Sequence, residues 1–214
     1  MATSVLNPDY EALRTAQISS DPFPHLVVEN FIHSADLERL FPVLPDISSG
    51  GSWPPEALNL SPLVADLVQQ MQGEKLRKLI AEKFDLQIAS APTMLTMRGQ
   101  TREKDGRIHC DSVSKLVTVL LYLNPPSAAF GRQEGCLRLL RGPDDVEDYA
   151  IEVPPINGTL LIFPNGPTTW HGHRQYVGPR YTIQLNYMAK DSRARIELAR
   201  HKLSALAKRL PFVA

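Results

Sequence analysis

The character of the sequence changes at residue 93, and this change constrains the fold more than any other feature. From there to residue 188 the chain consists of short runs of β-branched and other apolar residues, separated by Gly, Pro and Asn. Such runs are typical of an antiparallel sandwich or barrel. About eight antiparallel strands are predicted, a number that fits a jelly roll. They are 93–98, 107–111, 115–124, 136–140, 149–153, 158–163, 168–173 and 179–188.

Residues 1–92 predict a supporting layer that precedes these strands. A short strand over 23–28 comes first, followed by a helix that has Ser34 as its N-cap and ends at Pro42. Apolar residues at near-helical spacing then predict one or two helices over 62–84, with Gly73 as a break. Because the helices precede the strands and do not alternate with them, we expect an α+β fold with helices outside the sandwich.

The 214 residues are expected to form one domain, since the chain only modestly exceeds a typical domain of about 150 residues. Within it, 93–188 is the jelly-roll core and 189–214 a C-terminal helix. The segment 45–61 is rich in Pro, Ser and Gly, and it predicts a mobile surface loop, with a lid as the alternative.

Composition excludes several classes of protein. Lys plus Arg and Asp plus Glu are equal at 23 each, so no overall field attracts nucleic acid or an anionic membrane. No apolar run approaches the roughly 20 residues that a membrane span needs. Acidic residues at positions 9 and 11 precede any apolar stretch, so no secretory signal is expected. Two cysteines fit a reducing compartment, and we expect a cytoplasmic protein.

His109, Cys110 and Asp111 form the first candidate site. If 107–111 is a strand, its period of two puts His109 and Asp111 on one face, while Cys110 points away. Because such a pair also arises by chance on protein surfaces, a second feature must support it.

The second feature is the segment 170–180, which predicts a β-hairpin with a Gly-Pro turn. On the returning strand, one face is polar and the other is apolar or aromatic. The polar face carries Arg180, Thr182, Gln184 and Asn186. Inward-pointing arginine and amide groups need polar partners. We therefore expect a barrel whose interior is a site, with the apolar face of this strand against the helices.

His109, Asp111 and His171 on facing strands would give two imidazoles and one carboxylate. This facial triad leaves three positions of an octahedral ion open, and it favours ferrous iron. Arg180 lies nine residues after His171 across the turn, so its guanidinium is expected within a short molecule's length of the metal. A dicarboxylate with one end on the iron and the other on Arg180 would bridge the two.

Several motifs together resemble the iron(II)- and 2-oxoglutarate-dependent oxygenases, in particular their prolyl-hydroxylase-like branch. The motifs are His109-Cys110-Asp111, Tyr122-Leu123-Asn124, Glu134-Gly135-Cys136-Leu137-Arg138, the run 158–163, His171, and Arg180-Tyr181. Pro-Phe-Pro-His at 22–25 is also similar to the beginning of bacterial members. The chain departs from many relatives at Glu134-Gly135, where they have Gly-Gly, and this concerns the geometry of one turn.

The resemblance implies a double-stranded β-helix, a cupin-like jelly roll, with iron held by His109, Asp111 and His171. It implies that Arg180 binds 2-oxoglutarate and that Tyr122 adds a hydroxyl bond to the same carboxylate. Fe(II), 2-oxoglutarate and O2 are the implied cofactors, with ascorbate as an accessory reductant. The implied reaction converts 2-oxoglutarate to succinate while a C–H bond of a small molecule or peptidyl side chain is oxidised. Within this resemblance, an intact Asp111 implies hydroxylation or a related oxidation, since the family's halogenases replace this carboxylate with a small residue.

A second histidine complicates the assignment. In an extended strand His173 faces the same side as His171, so either could bind the metal. The spacing to Arg180 favours His171, which leaves His173 to position a ligand or contact the substrate. The same role is open to three further residues: Gln184, Asn186 and Arg98. His25, His33 and His201 have no partner pattern and are expected to be structural.

Three other functions compete with the oxygenase. The first is a non-catalytic metal-binding sensor or binding module on a jelly roll. The second is a zinc hydrolase with the same ligands, which would need a general base and would leave Arg180 without a purpose. The third is nucleic-acid demethylation, which the neutral charge and the lack of a base-stacking platform disfavour.

Two basic segments remain. The residues around 98–107 could meet an anionic substrate, although a solvated loop is the ordinary interpretation. The tail 190–209 carries seven Lys or Arg, with an apolar stripe at helical spacing. The stripe consists of Ile196, Ala199, Leu203, Leu206 and Leu210. It predicts docking on the barrel or a homodimer through the C-terminal helix, with contact to nucleic acid or a membrane as the minority interpretation.

Overall fold

The structure is a computed structural model, and it describes residues 5–209. Its α-helices are α1 (Tyr10–Thr15), α2 (Ser34–Leu40), α3 (Pro62–Met71), α4 (Glu74–Phe84), α5 (Ala128–Gly131) and α6 (Ser192–Arg209). Its strands are β1 (Leu26–Val28), β2 (Thr93–Thr101), β3 (Lys115–Tyr122), β4 (Leu137–Leu140), β5 (Tyr149–Val153), β6 (Leu160–Pro164), β7 (His171–Gly172) and β8 (Gly178–Met188). None of the described helices has both the length and the apolar character to cross a membrane.

The strands form two antiparallel sheets that face each other. The larger sheet has the order β1-β6-β3-β8-β2, and the smaller one has the order β5-β4-β7. Their inner faces share a buried apolar cluster. Its members on the larger sheet include Leu120 and Phe163, and those on the smaller sheet include Leu139 and Val153. The predicted α+β jelly roll, a double-stranded β-helix, is therefore confirmed.

The outer face of the larger sheet carries the main core. Val117, Val119 and Leu121 of β3 point outward into it, and helices α1 to α4 contribute the residues that cover them. The same alternation holds in β8, where Ile183 and Leu185 are buried in this core. The expected division of β8 into an apolar outer face and a polar inner face is confirmed. The predicted β-hairpin over 170–180 is wrong, because β7 pairs with β4 in the smaller sheet while β8 pairs with β2 and β3 in the larger one.

Local sequence signals explain where α3 and α4 begin. The Ser61 hydroxyl accepts a hydrogen bond of 3.4 Å from the Val64 N–H, and Pro62 occupies the first turn of α3. Gly73 separates α3 from α4 and is the N-cap of α4, as the predicted break requires. In α2 the N-cap is His33. The predicted N-cap, Ser34, is already the first helical residue.

One predicted strand is wrong. The segment 107–111 is not a strand, because only His109 makes a bridge, to His171. Before it, a turn is held by the Asp105 carboxylate, which accepts a bond of 2.9 Å from the Arg102 N–H. Gly106 follows with a φ of +86°, which glycine adopts without strain. The chain thus reaches the sheet edge only at His109, and β7 is correspondingly short.

The segment 45–61 is anchored, in contrast to the predicted mobile loop. Trp53 exchanges two backbone hydrogen bonds of 2.9 and 2.8 Å with Met97 of β2. The Ile47 N–H donates to the Tyr181 hydroxyl over 3.3 Å, and the Lys208 ammonium lies 4.4 Å from the centre of the Trp53 ring. The segment therefore extends the larger sheet at its β2 edge.

The apolar stripe of α6 does not dock on the barrel. Its four described members are exposed: Ile196, Ala199, Leu203 and Leu206. The helix packs instead through Ala194 and Ala205, which are buried. Leu210, the fifth predicted member, lies outside the described residues. Of the two predicted roles of the stripe, docking on the barrel is therefore wrong.

Candidate active site

A cavity between the two sheets brings the predicted site residues together. We call it the site cavity. Its lining from the larger sheet is Arg98, Gln100 and Thr101 of β2, Thr118, Leu120 and Tyr122 of β3, and Arg180, Thr182 and Gln184 of β8. The rest of the lining is Asp105, Gly106, His109, Leu137, His171, Gly172 and His173.

His109, Asp111 and His171 form a group that can hold a metal ion. One ligand atom from each residue lies within 4.8 Å of the others. The two imidazole rings are 4.3 Å apart between centroids, because His109 and His171 exchange backbone hydrogen bonds of 3.0 Å in each direction. We call these three residues the triad.

The hydrogen bonds of both rings leave the same nitrogen open. Nδ1 of His109 donates to the Arg107 carbonyl over 2.8 Å, and Nδ1 of His171 donates to the Thr169 carbonyl over 2.9 Å. Because a carbonyl only accepts, each Nδ1 carries a proton, and Nε2 is the nitrogen left to bind a metal ion. A backbone carbonyl on the far nitrogen is the usual way to orient a metal-binding histidine.

Electrostatics keep Asp111 and His171 in the protonation states that a metal needs. Burial of His171 disfavours its charged form and lowers its pKa to about 4, with His109 adding to the effect. Burial would raise the pKa of Asp111, but the Lys115 ammonium and the bonds from Lys115 and Thr118 hold it below its usual range. Asp111 is therefore ionised and His171 neutral at physiological pH.

A polar network behind the triad fixes Asp111. The Thr118 hydroxyl donates to the Asp111 carboxylate over 2.6 Å, and the Lys115 ammonium pairs with it at 2.5 Å. Thr118 in turn accepts a bond of 2.8 Å from the Asn186 amide. Gln184, on the cavity side, donates to Asn186 over 3.3 Å. Asn186 therefore acts on Asp111 through Thr118.

Lys115, Thr118 and Asn165 are residues that the sequence interpretation missed. The Asn165 amide donates to the Thr118 hydroxyl over 2.9 Å. Only Thr118 left a signal, because it is the one aliphatic hydroxyl in the apolar run 116–123. Lys115 and Asn165 join the network across strand and loop ends, and no spacing rule reports such contacts.

Arg180 and Tyr122 lie side by side in the site cavity. The Arg180 guanidinium carbon is 5.2 Å from the centre of the Tyr122 ring. Nε of Arg180 donates to the Gly135 carbonyl over 2.8 Å, which anchors the side chain. Within the described residues, the buried Tyr122 hydroxyl has no hydrogen-bond partner. Burial raises the pKa of Tyr122 to about 12, so the hydroxyl keeps its proton and can donate it.

This pair of donors fits a carboxylate. A buried hydroxyl without a partner costs about 1–3 kcal/mol, so its position beside a guanidinium indicates a ligand that accepts from both. Charge-assisted bonds from arginine to a carboxylate are the stronger ones in proteins. The residues present thus fit a metal ion at the triad and the distal carboxylate of a dicarboxylate at Arg180.

The departure at Glu134-Gly135 leaves the site intact. Gly135 adopts a φ of +68° and presents its carbonyl to Arg180. A Cβ there would lie 3.0 Å from the Tyr176 side chain, so glycine is the residue this position needs. Glu134 pairs with Arg132 at 2.8 Å, where both side chains are at least one third exposed. Glu134, the position at which many relatives have glycine, therefore lies outside the cavity.

His173 lines the cavity but lies outside the triad. Its Nδ1 donates to the Arg174 carbonyl over 2.8 Å, and its backbone N–H donates to the Gly106 carbonyl over 2.9 Å. Burial and the nearby Arg180 lower its pKa to about 4, so the ring is neutral. Among the residues described, the metal-capable group contains His171 and not His173.

The remaining predicted residues divide between the cavity and the surroundings. Arg98 and Gln184 line the cavity, which corrects the solvated-loop interpretation for Arg98. Three histidines lie outside it: His25, His33 and His201. His25 is buried and bonds the Phe23 carbonyl over 2.8 Å, as expected for a structural residue.

Sequence comparison assigns the core of the fold. The family model of the 2OG-Fe(II) oxygenase superfamily matches residues 97–188, which span the triad, Tyr122 and Arg180. Residues 97–188 are a 2OG-Fe(II) oxygenase domain. The chain is accordingly a 2-oxoglutarate-dependent oxidoreductase, and Fe(II), 2-oxoglutarate and O2 are its cofactors. No curated protein matches the sequence.

Solved structures of prolyl hydroxylases share the fold of this oxygenase. A Pseudomonas putida prolyl-4-hydroxylase is 15% identical with a TM-score of 0.56, and the match covers 88% of this chain and 100% of that one. A Phytophthora capsici prolyl 4-hydroxylase is 15% identical with a TM-score of 0.53, covering 98% and 78%. The 2OG complex of a viral collagen prolyl hydroxylase from Paramecium Bursaria Chlorella virus-1 is 13% identical with a TM-score of 0.53, covering 80% and 99%.

Proposed function

We propose that His109, Asp111 and His171 bind Fe(II), that Arg180 and Tyr122 bind 2-oxoglutarate, and that the enzyme hydroxylates a small molecule or a peptidyl side chain. One observation carries this proposal. The two histidines of the triad line one cavity together with a guanidinium and with a buried hydroxyl that has no partner among the described residues. A triad alone would fit several metal functions, but the added carboxylate site fits a dicarboxylate cosubstrate.

The residues of the chain have separate tasks in this reaction. When bound, iron and 2-oxoglutarate supply the activation of O2 for C–H oxidation, with succinate and CO2 as products. The Nε2 atoms of the two histidines and the ionised Asp111 would provide the metal ligands, and Thr118 keeps the carboxylate in position. Arg180 orients the cosubstrate by its far end, while Leu120 and Leu137 give the cavity apolar walls that exclude water.

The alternatives leave part of the site without a role. A metal sensor or a zinc hydrolase would use the triad, but neither needs a carboxylate site at Arg180 and Tyr122. A peptidyl substrate is supported by the prolyl hydroxylases that share the fold, and a small molecule by the compact polar lining. Asp111 in the triad supports hydroxylation as the outcome.

The metal site gives the first test. Titration of Mn(II), as an air-stable substitute for Fe(II), into His109→Ala or Asp111→Ala protein should show loss of the tight site, because each variant removes one of three ligands. The measurement is calorimetry, with Cys110→Ala as the matched control, since Cys110 lies between the two ligands but is not one of them. Wild-type affinity in His109→Ala or Asp111→Ala would contradict the triad.

We also propose that two copies associate through α6 and that the protein works in the cytoplasm. Leu203 and Leu206 of the exposed stripe are 65% and 60% exposed, and a formal net charge of zero gives no overall repulsion between copies. Two free cysteines support a reducing compartment. Sedimentation velocity should show a dimer that Leu203→Glu dissociates, and a monomeric wild type would contradict the association.

A further inference from the structure

We propose that Arg98 binds a carboxylate of the prime substrate, so that the substrate is a small carboxylic acid. The inference rests on the function proposed above and adds the class of its substrate. Arg98 belongs to β2, where it pairs with Thr182 of β8, and both residues line the site cavity. It therefore lies on the strand next to that of Arg180, on the same wall of the cavity.

Arg98 is a cation without a partner. Its Nε atom is buried, and no group in the described part of the chain accepts a hydrogen bond from it. Burial lowers the pKa of Arg98 below its usual value, yet arginine remains protonated in proteins. A buried Nε–H without an acceptor is costly to the fold, so its position on the cavity lining indicates an anionic ligand that offsets the cost on binding.

The acidic groups around Arg98 are already engaged elsewhere. The Asp105 carboxylate accepts from the Arg102 guanidinium at 3.2 Å through both of its oxygens, and it also accepts from the Arg102 N–H. Asp111 pairs with Lys115 at 2.5 Å. His173 is neutral, and Arg180 has the same charge as Arg98. No carboxylate of the cavity is left to neutralise Arg98.

The cosubstrate does not supply the missing charge either. Fe(II), the Asp111 carboxylate, the Arg180 guanidinium and the two carboxylates of 2-oxoglutarate carry no net charge together. Lys115, which pairs with Asp111, adds a further positive charge and so does not offset Arg98 either. With metal and cosubstrate bound, the positive charge of Arg98 therefore stays in the cavity and selects the next ligand to enter.

A carboxylate is the chemistry that suits this position. The guanidinium plane offers two parallel N–H donors that match the two oxygens of a carboxylate. Gln100 and Thr182 flank Arg98 on the lining and add neutral hydrogen-bonding groups. An internal residue of a neutral peptide would leave the guanidinium unpaired, whereas a small carboxylic acid would pair it.

The test uses propionate as the probe, with propionamide as its uncharged match. Protein is loaded with Mn(II) and saturating 2-oxoglutarate, so that Arg180 is occupied, and relaxation of the probe's methyl protons by the ion is measured by NMR. Propionate should be relaxed in the wild type and propionamide should not. Arg98→Gln should weaken the apparent propionate affinity roughly tenfold or more, because one charge-assisted partner is lost.

Two further variants control for folding and for charge. Lys104→Gln removes the same charge from an exposed residue nearby, and it should behave as the wild type. Arg98→Lys retains the charge without the fork of donors, so it should bind propionate with intermediate affinity. Equal propionate affinity in the wild type and in Arg98→Gln, or no propionate binding by the wild type, would overturn the inference.

Calorimetry with 2-oxoglutarate tests whether the carboxylate that Arg98 binds belongs to the prime substrate or to the cosubstrate. Arg98→Gln should leave the Kd for 2-oxoglutarate within about threefold of the wild type, because Arg98 serves the second ligand. If the Kd rises as much as in Arg180→Ala, the carboxylate belongs to the cosubstrate and the inference fails. A wild type that binds neither Mn(II) nor 2-oxoglutarate would instead refute the proposed function.

Discussion

Arg180→Ala is expected to raise the Kd for 2-oxoglutarate at least about thirtyfold while leaving metal affinity nearly unchanged. The guanidinium would pair with the carboxylate far from the metal, and loss of a charged hydrogen-bond partner costs about 2 kcal/mol or more. The Tyr122 hydroxyl, which has no other partner among the described residues, would then hold that carboxylate alone. Calorimetric titration of 2-oxoglutarate into Mn(II)-loaded protein gives both quantities.

Arg174→Ala is the matched control for this experiment. Arg174 lies between β7 and β8, in the segment that leads to Arg180, but its side chain is 40% exposed and pairs with Glu147 at 2.7 Å. It should bind 2-oxoglutarate as the wild type does. An Arg180→Ala protein with unchanged Kd would remove Arg180 from the cosubstrate site, whereas a parallel loss in Arg174→Ala would indicate damage to this connecting segment.

The parts of the site that the sequence predicted depend on short-range periodicity. The inner face of β8 follows from alternation alone, and the structure has Arg180, Thr182 and Gln184 together on the lining. His109 and Asp111 lie together although 107–111 is not a strand, because a single bridge to His171 is enough to align this segment. A two-residue spacing survives a local loss of pairing, so the wrong element still led to the right neighbours.

The parts that sequence reasoning missed depend on contacts across the fold. Lys115 reaches Asp111 only because a turn at 112–114 brings β3 back under the triad. The segment 45–61 has the composition of a loop, yet the edge of β2 offers free backbone groups and the Trp53 backbone pairs with them. Composition reports local preference, while partners of this kind are set by which sheet edge is open.

His171→Ala is expected to abolish the uncoupled conversion of 2-oxoglutarate to succinate, whereas His173→Ala should retain it. This half-reaction needs the intact metal site but no prime substrate. It therefore distinguishes a histidine that binds the metal from one that only lines the cavity. The structure favours His171, since its ring lies 4.3 Å from that of His109 and its Nε2 is open. His173 lies outside the metal-capable group of the described residues.

The comparison must be made at saturating iron, because a residue beside a ligand can itself weaken metal binding about 10–100-fold. At saturation such a defect is overcome, but a missing ligand is not. A Cβ at Gly106 would lie 2.3 Å from the His173 ring, so this ring fills space as well as lining the cavity, and His173→Gln keeps more of that volume than alanine. If both His173 variants are inactive and His171→Ala turns over, then His173 is the ligand and the His171 assignment is wrong.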